Sequence, residues 1–367
     1  MSRSVLSAAR RIVVKVGTHV VARDDGGVAL GRVGQLVEAL AELRAADREV
    51  LLVSSGAVGL GMRRLGYDKK PTSRYDQRAC AAAGQGELMG LYDGLFARVG
   101  LVAAQVLLTE DDFHHRARSV ALAATLERLL AAGAIPVINE NDAVSPDLRA
   151  IFGDNDRLAA LVASHVDADA LVLLSDVDAV YDRPPTEPGA LRLSTWAQQS
   201  VQIGAPSRGG RGGMGAKIEA AQVAASAGVA TVIASGRAQG ALGRILAGDD
   251  EGTLFPPGTA PSRRRRWIAF GTAAQGTLHV NDGARDALVD RGASLLAPGV
   301  VRVEGDFGPG AVLRVVHLGS ELGRGVCGRS RAEVDTAVAS GQRGKPLLHR
   351  DDLVLHSEPI RDPGDAP

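Results

Sequence analysis

Six short runs of nearly unbroken apolar residues recur along the first two thirds of the chain. They are RIVVKV (11–16), EVLLVS (49–54), LVAAQVLLT (101–109), IPVI (135–138), ALVLLS (170–175) and VATVIA (229–234). A run this short and continuous has no solvent face, so it reads as a strand buried on both sides. Between the runs lie segments of helical periodicity, at 31–46, 74–98, 116–132, 154–166, 214–227 and 238–247. In the first of these, Val33, Leu36, Val37, Leu40 and Leu43 share one face. Strand and helix alternating at this rhythm require right-handed crossovers and a mainly parallel sheet with helices on both faces. The expected fold is therefore an α/β/α sandwich of three layers.

With 367 residues the chain exceeds one ordinary core. The texture changes after GTLF (252–255). PPGTAPSRRRRW is proline-rich and then basic, as a linker is. Beyond it GTLHV, VVRVEGDF and GAVLRVVHL read as short alternating strands between glycine-rich turns. We read a catalytic domain at 1–260, a linker at 261–270, a small β module at 271–355 and a tail at 356–367. The formal net charge is zero, which argues against a nonspecific nucleic-acid or membrane binder. Aromatics are only 3% of the chain, so base-stacking platforms are scarce and Arg263–Arg266 reads as solvated linker rather than an RNA site. No run approaches the ~18 apolar residues of a membrane span, and no apolar leader precedes the first strand. Cys80 and Cys327 have no metal-ligand spacing and read as free thiols in a reducing cytoplasm. His114 and His115 are adjacent, point apart on a helix, and read as solvated.

Three glycine-rich turns could hold an anion on backbone N–H groups: Val16–Thr18, Ser54–Ala57 and Gly209–Gly215. Ligands of an open α/β sheet bind at the carboxyl ends of its strands, so all three turns could face one crevice. Gly210, Gly212 and Gly215 match the dinucleotide fingerprint only formally. No clear strand precedes them and no acid lies about 20 residues on to hold a ribose. Of 42 basic residues only five are lysine: Lys15, Lys69, Lys70, Lys217 and Lys345. Lys15 ends a buried strand, where an ammonium needs a fixed or bound anion unless it snorkels to the rim. Lys217 falls in the first turn of a helix, against the dipole, which suggests a bound anion unless the side chain is solvated. The stretch PVINENDAVSPDLRAIFGDNDRLAALVA (136–163) carries Glu140, Asp142, Asp147, Asp154 and Asp156 among Asn139, Asn141 and Asn155. Asp154 could cap the helix that follows. The cluster as a whole suits an ammonium-bearing substrate, or could organise lysines or bound Mg²⁺.

The segments KVGT, VSSGAVGLG, VINENDAV, FGDNDRLAA, LLSDVDAVYD and GGMGAK occur in an order and spacing that resembles the amino-acid-kinase superfamily. RGASLLAPGVVRVEGDFGPGAVLRVV resembles a PUA domain. The resemblance covers roughly 10–355. It implies transfer of the ATP γ-phosphoryl to the γ-carboxylate of L-glutamate, the first step of proline biosynthesis. Lys15 and Lys217 would grip the transferring group and Asp156 would orient them. Ser55, Asp142 and Asn155 would hold glutamate. Lys15, Gly17, Ser175, Asp176 and the loop Arg211, Gly212, Gly213, Met214, Gly215, Ala216 and Lys217 would contact ATP. Mg²⁺ would come with the nucleotide and have no dedicated protein ligands. The resemblance also implies feedback inhibition by proline, a homo-oligomer, contact with the downstream glutamyl phosphate reductase, and a cytoplasmic location. His19 and Ala216 depart from the pattern, which usually has a small polar residue and a threonine there. Ser175 replaces a more usual threonine, a conservative change.

Overall fold

In the computed structural model the described residues are 3–23, 27–109, 111–144, 155–197, 213–258, 268–269, 274–341 and 344–361. The chain divides into two compact units, residues 1–112 with 116–260 and residues 113–115 with 261–367. The first unit is built on a seven-stranded sheet. In chain order its strands are β1 (Arg11–Val16), β2 (Glu49–Ser54), β3 (Ala103–Leu108), β4 (Ile135–Glu140), β5 (Ala170–Ser175), β8 (Ala230–Ser235) and β9 (Thr253–Phe255). A separate two-stranded ribbon pairs β6 (Val180–Tyr181) with β7 (Arg192–Leu193). The spatial order is β3-β4-β2-β1-β5-β8-β9, parallel except for β9. All six apolar runs are strands of this sheet.

Side chains alternate across a strand. Ile12, Val14 and Val16 share one core with helices α3 (Leu30–Ala45), α5 (Arg74–Arg98) and α10 (Ala241–Ala247). The opposite face is packed by α7 (Arg116–Ala131) on β4, α8 (Asn155–His165) on β1 and α9 (Met214–Ser226) on β8. Lys15, out of phase with Val14 and Val16, therefore belongs to the α8 side. At the far end of β1, Arg11 reaches Glu49 at 2.6 Å and Glu127 at 2.7 Å. That cluster ties the amino end of the sheet and leaves the carboxyl end for chemistry.

Several expectations are corrected. The turn read at Val16–Thr18 leads at once into a short helix, α2 (Thr18–Val21), with Gly17 at its N-cap. GTLF does not merely end the domain, since Thr253–Phe255 is the antiparallel edge strand β9. An antiparallel edge on a parallel sheet needs no crossover helix, so no periodicity announced it.

The second unit has a five-stranded sheet of order β11-β10-β12-β13-β14, with β10 at Gly276–Val280, β11 at Val300–Gly305, β12 at Ala311–His317, β13 at Ser320–Cys327 and β14 at Leu348–Arg361. It also holds helices at Asp282–Val289 and Arg331–Ser340, the second opened by a capping box between Ser330 and Glu333. The last strand runs to Arg361, past the point where a tail was expected to begin. Ile268 and Ala269, inside the segment read as linker, are buried.

Candidate functional site

The parallel strands end together, and each end is stitched to its neighbour. Gly17 N–H donates to Leu174 O at 3.0 Å, Ser55 N–H to Val16 O at 3.0 Å, Asn141 N–H to Leu108 O at 2.8 Å and Gly236 N–H to Ser175 O at 2.7 Å. At this edge Lys15 Nζ lies 2.5 Å from Asp156 Oδ1, and Lys217 Nζ lies 2.9 Å from Asp156 Oδ2. The three residues are 2%, 1% and 7% exposed in the order Lys15, Asp156, Lys217. Both lysines are thus buried and paired; neither snorkels nor is solvated. The cost of placing Lys217 in the first turn of α9 is offset by a carboxylate fixed in the first turn of α8, where an acid is favoured. One carboxylate serves two ammonium groups, so the triad carries one net positive charge at the carboxyl end of the sheet.

Asn155 precedes Asp156 and turns the other way. Its Nδ2 donates to Ser55 Oγ at 2.9 Å, Asn139 Oδ1 at 3.0 Å and Ser54 O at 3.3 Å. Asn139 is 3% exposed and donates from Nδ2 to Gln85 Oε1 at 2.8 Å. Ser54 Oγ donates to Ser55 O at 3.0 Å and lies 2.8 Å from Tyr92 Oη. Either hydroxyl can supply the proton in that contact. Burial pushes the Tyr92 phenol above its ordinary value, against the opposing hydrogen bond to Ser54, so it stays protonated. The turn after β2 opens helix α4 (Ala57–Arg64), which lies directly on α5. A Cβ on Gly84 would sit 1.9 Å from Ala57 O, and one on Gly61 would sit 1.7 Å from Cys80 O. Glycine at both positions lets the helix backbones touch, and so sets where Ser55 sits.

Sequence reasoning missed Gln85, Tyr92 and the part played by Asn139, and named Ser54 only as part of a glycine-rich turn. Asn139 did carry a signal, as an amide following IPVI inside a buried strand. Gln85 and Tyr92 lie within a long alanine-rich helix and gave none.

On the other side of β1, Ser175 ends β5 and its hydroxyl donates to Asp176 Oδ1 at 2.9 Å. Burial alone would raise the Asp176 carboxyl. The Ser175 hydroxyl, the residue's own backbone N–H, and the charges of His19 and Lys217 outweigh burial and hold it below the usual carboxylate range. A Cβ on Gly17 would lie 3.6 Å from Leu174 O and 3.8 Å from Lys15 Nζ. A side chain there would pack onto the buried Lys15 ammonium. Gly213 caps α9, and Met214, Gly215 and Ala216 form its first turn with Lys217. Asp142 lies in a turn two residues beyond β4, at the same sheet edge as Ser55. Arg211, Gly212, Asp147 and Asp154 lie outside the described residues.

Among the described residues no group of three or more His, Cys, Asp or Glu side chains is arranged to hold a metal ion. Asp156 is already committed to two ammonium groups. No helix among the described residues is long and apolar enough to cross a membrane.

A parallel sheet between two helical layers, with a shared lysine–aspartate–lysine triad at its carboxyl edge, is the frame of a phosphoryl-transfer enzyme. Residues 10–235 match the amino acid kinase family and residues 276–342 match the PUA domain. The chain belongs to the amino acid kinase family. Over nearly its whole length it is similar to glutamate 5-kinases. That of Bifidobacterium adolescentis is 44% identical across 96% of this chain and 97% of its own. That of Streptomyces coelicolor is 42% identical across 96% and 98%, and that of Geobacter sulfurreducens 41% across 97% and 100%. Among solved structures the chain is similar to an isopentenyl phosphate kinase, with a TM-score of 0.48 and 19% identity over 67% of this chain and 99% of that one.

Proposed function

We propose that this chain phosphorylates the γ-carboxylate of L-glutamate with ATP, giving γ-glutamyl phosphate and ADP, the opening step of proline biosynthesis. The observation that carries the reading is the buried Lys15–Asp156–Lys217 triad, joined through consecutive residues of α8 to the Asn155–Ser55 pair. Asn155 and Asp156 place an amide network and a cationic pair side by side, as an amino acid meeting a phosphoryl donor requires.

A carboxylate is already a nucleophile at neutral pH. No general base is needed, and the barrier is the approach of one anion to another. A γ-carboxylate oxygen attacks the γ-phosphorus, the bond to the β–γ bridging oxygen breaks, and its electron pair leaves with ADP. Lys15 and Lys217 lower the repulsion and follow the charge as it moves to the leaving oxygen. Asp156 keeps both ammonium groups in place without being consumed. The side-chain-free backbone at Gly17 and the first turn of α9 suit phosphate oxygens. In this reading Ser175 and Asp176 border the nucleotide, Asp142 faces the amino-acid end, and Mg²⁺ arrives with ATP. A cytoplasmic site of action accords with the unpaired, buried Cys80 and Cys327.

Hydroxylamine traps acyl phosphates, so the test is γ-glutamyl hydroxamate formation from ATP, Mg²⁺ and L-glutamate. Product should depend on glutamate and fall about 100-fold or more in kcat for Lys217→Ala. ADP release driven by a different acceptor, with no hydroxamate from glutamate, would discard the substrate. An unchanged kcat in Lys217→Ala would remove that lysine from the chemistry.

A further inference from the structure

The amide orientations beside the site are fixed by backbone groups that have only one hydrogen-bonding role. Ser54 O can only accept, so the atom of Asn155 facing it at 3.3 Å is Nδ2. Glu140 N–H can only donate, so the atom of Asn139 facing it at 2.9 Å is Oδ1. Asn139 Nδ2 is then directed at Gln85 Oε1, 2.8 Å away on α5. A polar chain results, running Asn155 Nδ2 to Asn139 Oδ1 and Asn139 Nδ2 to Gln85 Oε1. Its consequence appears at the far end. Asn155 spends its donor on three acceptors, and its Oδ1 is buried with no hydrogen-bond partner among the described residues. A buried acceptor without a donor is costly unless a ligand supplies one.

We propose that Gln85 is a positioning residue for substrate recognition: by accepting from Asn139 it locks the amide chain and presents Asn155 Oδ1 as an acceptor for the ammonium group of the amino-acid substrate. This rests on the glutamate reading above. Gln85 belongs to none of the segments that carry the family resemblance, and it acts through Asn139 and Asn155 rather than on the substrate. Without it the buried Asn139 Nδ2 loses its acceptor. Asn139 then turns to find another, and Asn155 loses its restraint.

The test compares Gln85→Met, which removes the acceptor at similar volume, with Gln85→Glu, which keeps an acceptor oxygen. Both are assayed in full-length protein by hydroxamate formation, with folding checked by thermal melting. Gln85→Met should raise the glutamate KM about tenfold. The ATP KM should stay within about twofold, and Gln85→Glu should recover most of the loss. Glutarate keeps both carboxylates and lacks the ammonium, so its inhibition constant should move less than about twofold in Gln85→Met. If the methionine variant does not fold, Gln85→Ser, too short to reach Asn139, gives the same comparison. Equal weakening of glutamate and glutarate, or no recovery in Gln85→Glu, would reduce Gln85 to packing and overturn the proposal. Wild-type protein that makes no hydroxamate from glutamate would overturn the glutamate reading itself, and this proposal with it.

Discussion

Replacing Asp156 by asparagine removes one charge from the least exposed point of the site. The carboxylate is 1% exposed and sits 2.5 and 2.9 Å from two ammonium groups whose side chains are 3% and 9% exposed. At those distances and an effective dielectric constant of about 20, each pair has a gross attraction of roughly 6 kcal/mol. Desolvation of the three groups cancels much of that, so the triad adds little to stability relative to an apolar cluster. Taking away the shared partner is different, because both lysines stay buried; the cost is about 3–5 kcal/mol. Asparagine keeps one acceptor and turns an N–H toward the second lysine. In a unit of this size each kcal/mol moves Tm by about 2–4 °C, so Asp156→Asn should melt roughly 10 °C lower. Its kcat in the hydroxamate assay should fall at least ~100-fold, because the lysines are no longer held where charge develops. The decisive comparison is the double variant Asp156→Asn with Lys217→Met, which removes one of the stranded charges. It should melt above Asp156→Asn alone while staying inactive. An Asp156→Asn enzyme with wild-type Tm and kcat, or a double variant whose losses simply add, would refute a shared buried charge.

Two further outcomes test the surroundings of the triad. The Asp176 carboxyl is held below its ordinary value in the folded state, so it stabilises the fold above the unfolded pKa, and that contribution is lost as pH falls through the lower folded pKa. The urea-midpoint gap between wild type and Asp176→Asn should be constant from pH 7 to about 5 and should close as pH drops below the usual carboxylate range; a gap that widens on acidification would reverse the assignment. Gly84→Ala drives a Cβ to 1.9 Å from Ala57 O and should cost about 3 kcal/mol or more by urea unfolding, whereas Gly86→Ala, two residues on with nothing within 4 Å, should be neutral or stabilising by up to ~1 kcal/mol. Similar effects at the two positions would mean that α4 and α5 are not in backbone contact.

The central sheet was legible because its inner parallel strands are buried on both faces and so write unbroken apolar runs, while the edge strand β3 writes a similar run although Gln105 and Leu107 are exposed. Where no such run is written, the reading fails. β9 is three residues long and antiparallel. β13, SELGRGVC, is interrupted by glycines and charges. Its Gly323 is explained only by the sheet itself, where a Cβ would meet Val354 O at 2.2 Å. The same divide runs through the site. Lys15 and Lys217 could be singled out because a charge in an apolar strand or at the wrong end of a helix contradicts its surroundings; Asp156, an acid in a first turn that favours acids, took its role from the resemblance. Ser55 and Asn155 came from the resemblance. Gln85 and Tyr92 contradict nothing locally, since each is an ordinary residue on a helix, and their roles exist only once α5 lies against the ends of β2 and β4.

The scarcity of lysine turns out to separate two kinds of position. Lys69, Lys70 and Lys345 are exposed, while Lys15 and Lys217 are buried on a single carboxylate. In a chain that uses arginine at nearly every other basic position, the geometry explains the two exceptions. A guanidinium is a planar fork that binds a carboxylate best through both oxygens at once, and its charge is spread over several ångströms. Two guanidinium groups can share one carboxylate, as Arg314 and Arg324 do at Glu321, but each spreads its charge over a broad plane. At Asp156 two ammonium groups do so as compact point charges, Lys15 on Oδ1 and Lys217 on Oδ2. That arrangement brings two positive charges close together from different elements, a strand and a helix, which is what a transferring phosphoryl group between two anions requires. The choice of lysine here therefore follows from compactness: an ammonium concentrates its charge on one atom, which can face its carboxylate and an incoming anion at short range, where a guanidinium would spread the same charge over its plane.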